Sequence, residues 1–259
     1  MNLIKFLESF TDDKLYATGT SRRNSFSQFG NLGKGLALAS LPFGLSALSN
    51  KAFAADITPT PATAAGALQL ALTLEYLESA FYATAVDSAG LIPAEDQAAI
   101  TLIRDHEADH VSFLTTAMEA NGIAIPAMPT FDFSGGIGLD PFNNYDQFLA
   151  VAQAFEDTGV RAYKGQAGYL MGSDFLTAAL QIHSVEARHA SQIRRMRGQK
   201  GWITLNNSGG LPPQVQVVYD GEESTALGAG QFDAAAQSEA YDETISTQTA
   251  VNIANLFIV

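Results

Sequence analysis

The sequence predicts an all-α protein built on a bundle of four long helices, in which a long crossover joins two helical hairpins and a C-terminal extension follows the bundle. Three observations support this fold class. Apolar residues recur at helical spacing through four long segments, each segment ends at a Gly or Asn-Gly stop signal, and only the connection between the second and third segments is long. Short connections place consecutive helices side by side, whereas the long one can span the bundle.

The composition narrows the classes of function. The chain has 259 residues, of which 47% are hydrophobic, so it can bury a sizeable core. With 27 acidic and 14 basic residues its net charge is −13, which repels nucleic acid and anionic membrane surfaces but leaves metal cations as partners. The absence of cysteine excludes disulfides, thiolate metal sites and cysteine nucleophiles.

Residues 1–54 are predicted to be an export signal. Paired arginines in Ser21–Phe26 precede a small, apolar stretch at 35–48, and an Ala-Phe-Ala sequence ending at Ala54 fits a signal peptidase site. The arginine segment resembles a twin-arginine signal with its Phe one position late, so the general secretory route stays open. We expect cleavage near Ala54 and a periplasmic or extracellular mature protein. Polar and proline interruptions in the apolar stretch argue against an integral membrane protein.

The elements of the remaining chain follow in order. Residues 55–63 contain two prolines and are predicted to be an extended linker, and residues 64–198 are predicted to form the bundle domain. The second helix begins at Pro93, because proline suits the first turn of a helix. The four helices are predicted at about 64–89, 93–122, 145–171 and 173–197, with the crossover at 123–144.

The C-terminal extension, 199–259, has a different pattern. Turn residues are frequent after Gly198, and no chemical motif is legible there. A short strand is predicted at Gln214–Tyr219 and a fifth helix at about 240–257. We expect the extension to serve packing or assembly.

Acidic residues and histidines occupy the apolar stripes of all four helices, because steps of three, four and seven residues return to the same helix face. The first and third helices each carry one such Glu, and the second and fourth each carry a Glu-x-x-His pair. Carboxylates buried in one core cost several kcal/mol each, whereas two divalent cations would neutralise them. Oxygen-rich ligation with two imidazoles suits iron or manganese. In chain order these residues are Glu75, Glu107, His110, Glu156, Glu186 and His189.

A tyrosine follows at the same distance after the first Glu of each half. Tyr82 and Tyr163 each stand seven residues after Glu75 and Glu156, respectively. This internal repeat favours Glu75 over Glu78 as the carboxylate that faces the metals, and Glu78 is expected beside the ligands or paired with a cation. The tyrosines are expected in the core, with their hydroxyls hydrogen-bonded near the ligands.

Three further residues are placed outside the ligand set. His183 precedes Glu186 by one turn and is expected as a hydrogen-bonded neighbour of the site or as a histidine of the core. Asp157 lies off the apolar stripe of its helix and is expected in solvent. Arg161 is expected to balance charge outside the ligands.

The four-helix constellation and two longer stretches, Leu74–Tyr82 and Ala154–Gly165, resemble the ferritin-like superfamily of dinuclear carboxylate proteins. Within it they are similar to the exported group that includes plant desiccation-related proteins, and the resemblance covers about 64–197. It implies two Fe or two Mn ions bridged by Glu107 and Glu186, and redox chemistry with O2 or peroxide of ferroxidase, peroxidase or catalase type in stress protection. The ligands that it implies are Glu75, Glu107, His110, Glu156, Glu186 and His189.

Other functions stay open at this point. The metals can instead lock the bundle of a non-catalytic, metal-binding or stress-protective protein. His106-Glu107-Ala108-Asp109-His110 also matches the H-E-x-x-H signature of zinc proteases. Asp109, however, puts a charge where such helices carry uncharged residues, and the zinc reading leaves the second Glu-x-x-His unexplained. The sequence is compatible with a homo-oligomer and identifies no organic substrate.

Overall fold

The computed structural model describes residues 56–227 and 230–259. The export signal predicted at 1–54 lies outside these ranges. The described chain is helical and contains no β-strand, and its one β-bridge joins Phe131 to Ile258. Among the described helices, none is both long and apolar enough to cross a membrane.

Four long helices form a bundle. Helix α1 packs against α2, and α3 packs against α4, so the chain forms two helical hairpins, and α1 also contacts α3. This packing confirms the four-helix bundle predicted from the sequence. The helices are α1 at Ala64–Asp87, α2 at Ala94–Ala120, α3 at Tyr145–Gln166 and α4 at Phe175–Met196.

Side-chain caps determine where α1 and α3 begin. The Thr63 hydroxyl accepts a hydrogen bond from the Gly66 N–H at 3.1 Å, and Asn144 Oδ1 accepts one from the Gln147 N–H at 3.0 Å. Each cap satisfies a backbone donor that the first turn of a helix leaves unpaired. A 3₁₀ turn at Ala167–Leu170 ends the regular part of α3 before the predicted residue 171, as is frequent where a helix tightens at its end.

The crossover between α2 and α3 packs an aromatic cluster against the bundle. The Phe133 ring lies 5.3 Å from the Phe81 ring and 6.2 Å from the Phe155 ring, measured between centroids. The Asp132 N–H donates to the Phe257 carbonyl at 2.8 Å. The crossover is therefore held between the bundle and the C-terminal end of the chain.

The extension differs from its prediction in two places. The strand predicted at Gln214–Tyr219 is wrong, because Pro213–Val218 forms a 3₁₀ helix. Two prolines at its start fix φ near the helical value and remove two backbone donors, which disfavours a strand. The predicted fifth helix at 240–257 is shorter and begins later, at α6, Thr247–Ala254, where Ser246 Oγ accepts the Thr249 N–H at 3.0 Å. A short helix α5, Ala234–Ser238, precedes it.

The extension packs directly on α3. A Cβ at Gly165 would lie 2.1 Å from the carbonyl oxygen of Ile245, so only glycine permits this approach of the two backbones. Helix α6 packs against α3 and α1. As a result, α1 and α3 are buried on nearly every side.

Arg161 of α3 anchors the extension. Its guanidinium is buried, with Nε 2.7 Å from Glu222 Oε1. The same group donates hydrogen bonds to the carbonyl oxygens of Val218, Asp220 and Glu243. Charge balance by Arg161 thus serves the extension and not the predicted metal ligands.

Asp157 is buried, so its predicted exposure is wrong. Arg194 of α4 donates to its carboxylate from Nε at 3.0 Å and from Nη2 at 2.5 Å, and the Tyr219 hydroxyl donates at 2.8 Å. Burial raises the pKa of Asp157, and the contacts with Arg194 oppose that shift. The pair is shielded because the extension covers a side of α3 that would be exposed in a bare four-helix bundle.

Candidate metal centre

The six residues that the sequence selected as ligands lie together in the middle of the bundle. They form two groups, and within each group the potential ligand atoms all lie within 4.8 Å of one another. Glu107 and Glu186 belong to both groups. The first group adds Glu75 and His110, and the second adds Glu156 and His189.

Each helix contributes to the cluster according to its hydrophobic pattern. In α2, Glu107 and His110 are three residues apart and therefore share a face, and in α4 the same holds for Glu186 and His189. Helices α1 and α3 each bring one Glu to the opposite side. All four carboxylates have 0% exposure, so the cluster is closed to bulk water on the carboxylate side.

His110 faces three carboxylates through its Nδ1 atom. That nitrogen lies 3.2 Å from Glu75 Oε2, 3.2 Å from Glu107 Oε2 and 3.0 Å from Glu186 Oε1. Burial lowers the pKa of His110, but the charge of Glu75 and the contacts with the other two carboxylates raise it far above its ordinary value. In the absence of metal, this imidazole carries a proton.

His189 has the corresponding position in the second group. Its Nδ1 lies 2.8 Å from Glu107 Oε1, 3.4 Å from Glu156 Oε2 and 3.7 Å from Glu186 Oε2. Burial lowers the pKa of His189, but the charge of Glu156 and the contacts with Glu107 raise it to about 12. Both imidazoles therefore direct Nδ1 into the cluster and meet the carboxylates that they share.

The two tyrosines of the internal repeat bind carboxylates of the opposite half. Tyr82 of α1 donates to Glu156 Oε1 of α3 at 2.5 Å, and Tyr163 of α3 donates to Glu75 Oε1 of α1. Burial raises the pKa of both phenols, so they remain protonated donors. Each tyrosine thereby fixes one oxygen of a carboxylate and leaves the other oxygen directed at the cluster.

Several inward-facing atoms lack a hydrogen bond although they are fully buried. Glu107 Oε1, Glu156 Oε2, both oxygens of Glu186 and His189 Nδ1 have no partner with hydrogen-bond geometry. Buried polar atoms are almost always satisfied, and a group of convergent lone pairs is the exception that a bound cation explains. The oxygen and imidazole donor set fits iron or manganese.

The charges of the buried carboxylates also fit a pair of divalent cations. Burial raises the pKa of Glu107, and it raises the pKa of Glu156 to about 7 in spite of His189. Burial would also raise the pKa of Glu186, but its contacts with His110 and His189 lower it to about 2. The four carboxylates carry more negative charge than the two protonated imidazoles can neutralise. Two divalent cations in place of the two imidazole protons would neutralise all four carboxylates.

Glu78 is a fifth buried carboxylate beside the cluster. It is 2% exposed, its Oε2 atom makes no hydrogen bond, and it belongs to neither ligand group. Burial raises the pKa of Glu78 strongly, and the negative charge of Glu186 adds to the shift. A Cβ at Gly159 of α3 would lie 3.2 Å from Glu78 Oε1 and 3.6 Å from Glu186 Cγ, so glycine leaves room for both side chains. This position agrees with the expectation that Glu78 neighbours the ligands.

His106 is a neighbour of the cluster that sequence reasoning missed. Its Nδ1 lies 2.9 Å from Nε2 of His189, and the two rings are stacked with 5.2 Å between centroids. In the described part of the chain His106 belongs to neither ligand group, so the structure does not pair it with His110 as an H-E-x-x-H zinc site requires. Its sequence position, one turn before His110 and 83 residues before His189, gave no signal of this contact.

His183 does not join the cluster. It belongs to neither ligand group, and its Nδ1 atom is buried without a hydrogen bond. Burial lowers the pKa of His183, and the nearby Lys164 lowers it further. Its ring is hydrogen-bonded to the backbone of Val160, so the half-buried side chain is a neutral group next to α3.

An apolar cavity of about 20 Å³ lies at the Glu75 end of the centre. Side chains of all four helices line it, and Tyr163, which binds Glu75, forms part of its wall. A cavity of this size holds about one small molecule, and apolar cavities tend to stay dry. It can therefore admit a small, uncharged and weakly polar molecule.

Comparison with known proteins agrees with this geometry. A family model described as a ferritin-like domain matches residues 63–199, which is the segment that contains all four long helices and all six residues of the two groups. No curated protein matches the chain.

Proposed function

Because the chain belongs to the ferritin-like domain family, we propose that it is an exported redox protein with a dinuclear iron or manganese centre that reacts with O2 or peroxide. The observation that carries this proposal is the pair of ligand groups that share Glu107 and Glu186. Two metals held by shared carboxylates lie close enough to act on one small molecule. The proposed ligands are Glu75, Glu107, His110, Glu156, Glu186 and His189.

The protein's own side chains hold this site in a defined arrangement. Metal binding needs a lone pair on His189 Nδ1, so its Nε2 carries the proton and donates to His106 Nδ1. Tyr82 and Tyr163 hold Glu156 and Glu75 by their outer oxygens. The two metals would supply the electrons for reduction of O2 or peroxide, while the closed, carboxylate-lined interior excludes larger substrates.

The apolar cavity beside Tyr163 supports O2 as an oxidant. Tyr163, which donates to Glu75, forms part of its wall, and the other side chains that line it are almost all apolar. Ions and strongly hydrated molecules lose their hydration in such a space, whereas a diatomic gas loses little. Ferroxidase, peroxidase and catalase-type reactions all use the same ligands, so the choice among them rests on kinetics.

Metal analysis followed by reaction kinetics tests the proposal. Protein purified from its native compartment is expected to contain two Fe or two Mn ions per chain, as the two ligand groups require. After anoxic reconstitution, stopped-flow mixing with O2 alone is expected to oxidise the centre once. Repeated turnover is expected with O2 when excess Fe(II) supplies the electrons, or with H2O2, which can act as both oxidant and reductant. Loaded protein that turns over neither oxidant with either metal would leave a non-catalytic, metal-binding or stress-protective role.

A substitution of His106 separates the dinuclear centre from a zinc protease site. His106→Ala removes a hydrogen bond to His189 but no proposed ligand, so both metals are expected to stay bound. A zinc protease would lose its single metal in this variant, because His106 would be one of its ligands. If the native protein contained one zinc ion per chain and His106→Ala lost it, the zinc protease hypothesis would be favoured.

We propose export as part of this function. The pattern that ends at Ala54 favours a signal that is removed, and the similarity of Leu74–Tyr82 to the desiccation-related group agrees with a role in stress protection outside the cytoplasm. N-terminal sequencing of the mature protein is expected to begin near Ala55. A mature chain that starts at Met1 contradicts this part of the proposal without affecting the metal centre.

A further inference from the structure

A surface cleft of about 450 Å³ opens where α4 gives way to the C-terminal extension. This volume lies within the range of small-molecule sites. None of the proposed metal ligands borders the cleft, so it is separate from the centre described above. Polar side chains and one aromatic ring share its walls, which are formed by Arg194, Gln199, Lys200, Trp202, Thr204 and Asn207.

Trp202 gives the cleft an apolar surface. It is the chain's only tryptophan, and 46% of it is exposed. Its indole N–H donates to Glu239, which fixes the edge of the ring while much of the remaining ring surface stays in contact with solvent. A large aromatic ring held in this way costs little conformational entropy when a ligand packs on it.

The cationic groups of the cleft are already neutralised. Arg194 binds Asp157 through two hydrogen bonds at 3.0 and 2.5 Å. Lys200 Nζ lies 2.5 Å from Glu239 Oε1. An anion in the cleft would have to compete with these carboxylates, so charge alone does not favour a phosphate or a carboxylate ligand.

Uncharged hydrogen-bonding groups remain available. Asn207 Oδ1 accepts the Gly209 N–H at 2.8 Å, whereas within the described chain its side-chain NH2 group donates to no protein atom. Asn207 itself is exposed at the cleft. The cleft thus presents an amide donor on the same short loop as the exposed ring.

The backbone of this loop is held in a strained conformation. Leu205, between Trp202 and Asn207, has φ of 52°, the only positive value for a non-glycine residue in the part of the chain that the structure describes. Its N–H donates to Ser238 Oγ at 2.7 Å, which stabilises the conformation. Such strain is concentrated at ligand sites and other functional loops.

We propose that this cleft binds a neutral saccharide, with one face of a sugar ring packed on Trp202 and its hydroxyls hydrogen-bonded to Asn207 and its neighbours. A sugar ring combines an apolar C–H face with a rim of hydroxyls, which matches an aromatic surface surrounded by uncharged donors and acceptors. Because no free charge lines the cleft, a neutral sugar fits it better than a sugar phosphate.

The single tryptophan makes binding directly measurable. The purified protein is titrated with glucose, galactose, N-acetylglucosamine, maltose and cellobiose while tryptophan emission is recorded, with glucose 6-phosphate as the charged comparison. At least one neutral sugar is expected to cause a saturable change in emission, with a Kd on the order of 1 mM. Since Trp202 is the only tryptophan, the signal can come from no other site.

Variants identify the groups that bind. Asn207→Ala is expected to weaken binding by about fivefold or more, because it removes a hydrogen-bond donor to the sugar. Gln192→Ala on the exposed face of α4 is the matched control and should bind as the parent does. Trp202→Ala, followed by calorimetry, is expected to lose binding, while an unchanged far-ultraviolet circular dichroism spectrum shows that the variant is folded.

Three outcomes overturn the proposal. They are the absence of a saturable response to every neutral sugar, a response to glucose 6-phosphate alone, and a response of equal affinity in Asn207→Ala. A change in emission that follows protein concentration instead of sugar concentration would place a second copy of the chain on Trp202. None of these results depends on metal-centred redox activity.

Discussion

At the scale of single residues, the metal-free centre holds protons on groups whose pKa values the fold raises. Both imidazoles are protonated without metal, since the pKa of His189 is raised to about 12 and that of His110 is raised as well. The pKa of Glu156 is raised to about 7 by its burial. Any metal that binds Nδ1 of these imidazoles must displace their protons.

Metal affinity is therefore expected to rise with pH. At low pH both imidazoles and Glu156 hold protons, which a metal ion must displace in order to bind. Above about pH 7 Glu156 has lost its proton, but the imidazoles still release theirs when the metal binds. Apparent affinity should rise about tenfold or more for each pH unit, since each released proton contributes one such factor. Calorimetric titration of Mn(II) in buffers of different ionisation enthalpy measures both the affinity and the proton count. An affinity that does not change with pH would contradict this account of the free centre.

The assignment of Glu75 rather than Glu78 as a ligand has its own test. Glu75 belongs to the first ligand group, whereas Glu78 belongs to neither group. Glu78 Oε1 lies next to Gly159, where a Cβ would be only 3.2 Å from it. Glu75→Gln is expected to lower the content to about one metal per chain, and Glu78→Gln to leave about two. Metal analysis of both variants, after loading under the same conditions, measures the difference. The reverse result would make Glu78 the ligand.

Spacing predicts which side chains face the bundle interior but not which helix they meet. The seven-residue interval from Glu to Tyr was visible in the sequence, and it fixed the position of Tyr82 and Tyr163 near the ligands. The structure shows that each tyrosine binds the carboxylate of the other half. The contact of His106 with His189 was missed for the same reason, since it joins α2 to α4 across the bundle.

At the scale of elements, the extension completes the bundle. Without it, the side of α3 that carries Asp157 would be exposed, and helical periodicity predicted that exposure. The extension buries this side and supplies Tyr219 to Asp157 and Glu222 to Arg161. The sequence could not predict this cover, because its short helices and turns carry too weak a periodic signal to show where they pack.

Loss of one partner in the buried Arg161–Glu222 pair is expected to destabilise the fold strongly. Arg161→Ala leaves Glu222 buried without its cation and removes the hydrogen bonds to three backbone carbonyls of the extension. Breaking such a pair costs about 3 to 5 kcal/mol in the free energy of unfolding. Urea unfolding followed by circular dichroism measures the loss.

Arg104→Ala is the matched control for that measurement. Arg104 pairs with Asp105 at 2.7 Å, but its side chain is only half-buried, at 33% exposure, and that of Asp105 is exposed, at 57%. Exposed pairs contribute about 0 to 1 kcal/mol because water screens them. If both arginine variants lost the same small amount, the extension would not be anchored through Arg161.

At the scale of the whole molecule, the metal centre joins the two hairpins. Two of the proposed ligand helices, α1 and α2, belong to the first hairpin, and α3 and α4 belong to the second. Metal bound at these residues would therefore stabilise the folded chain by mass action, since the unfolded chain does not bring them together. Two of these carboxylates, Glu107 and Glu156, destabilise the metal-free protein when they ionise, because burial raises their pKa values.

The shared ligand Glu107 allows these two effects to be separated. Burial raises the pKa of Glu107, so its ionised form costs free energy in the metal-free fold, and Glu107→Gln removes that charge while it keeps the shape of the side chain. The variant is expected to melt at the same temperature as the metal-free parent, or higher, and to gain almost nothing from Fe(II) or Mn(II). The parent is expected to gain several degrees in melting temperature under the same conditions, because the folded state alone binds both ions.

Calorimetric scans measure the melting temperatures of the parent and the variant, each with and without metal. Glu119→Gln, an exposed change on the same helix, is the control and is expected to retain the full gain. A metal-dependent gain in Glu107→Gln equal to that of the parent would mean that the stabilising ions lie outside the centre.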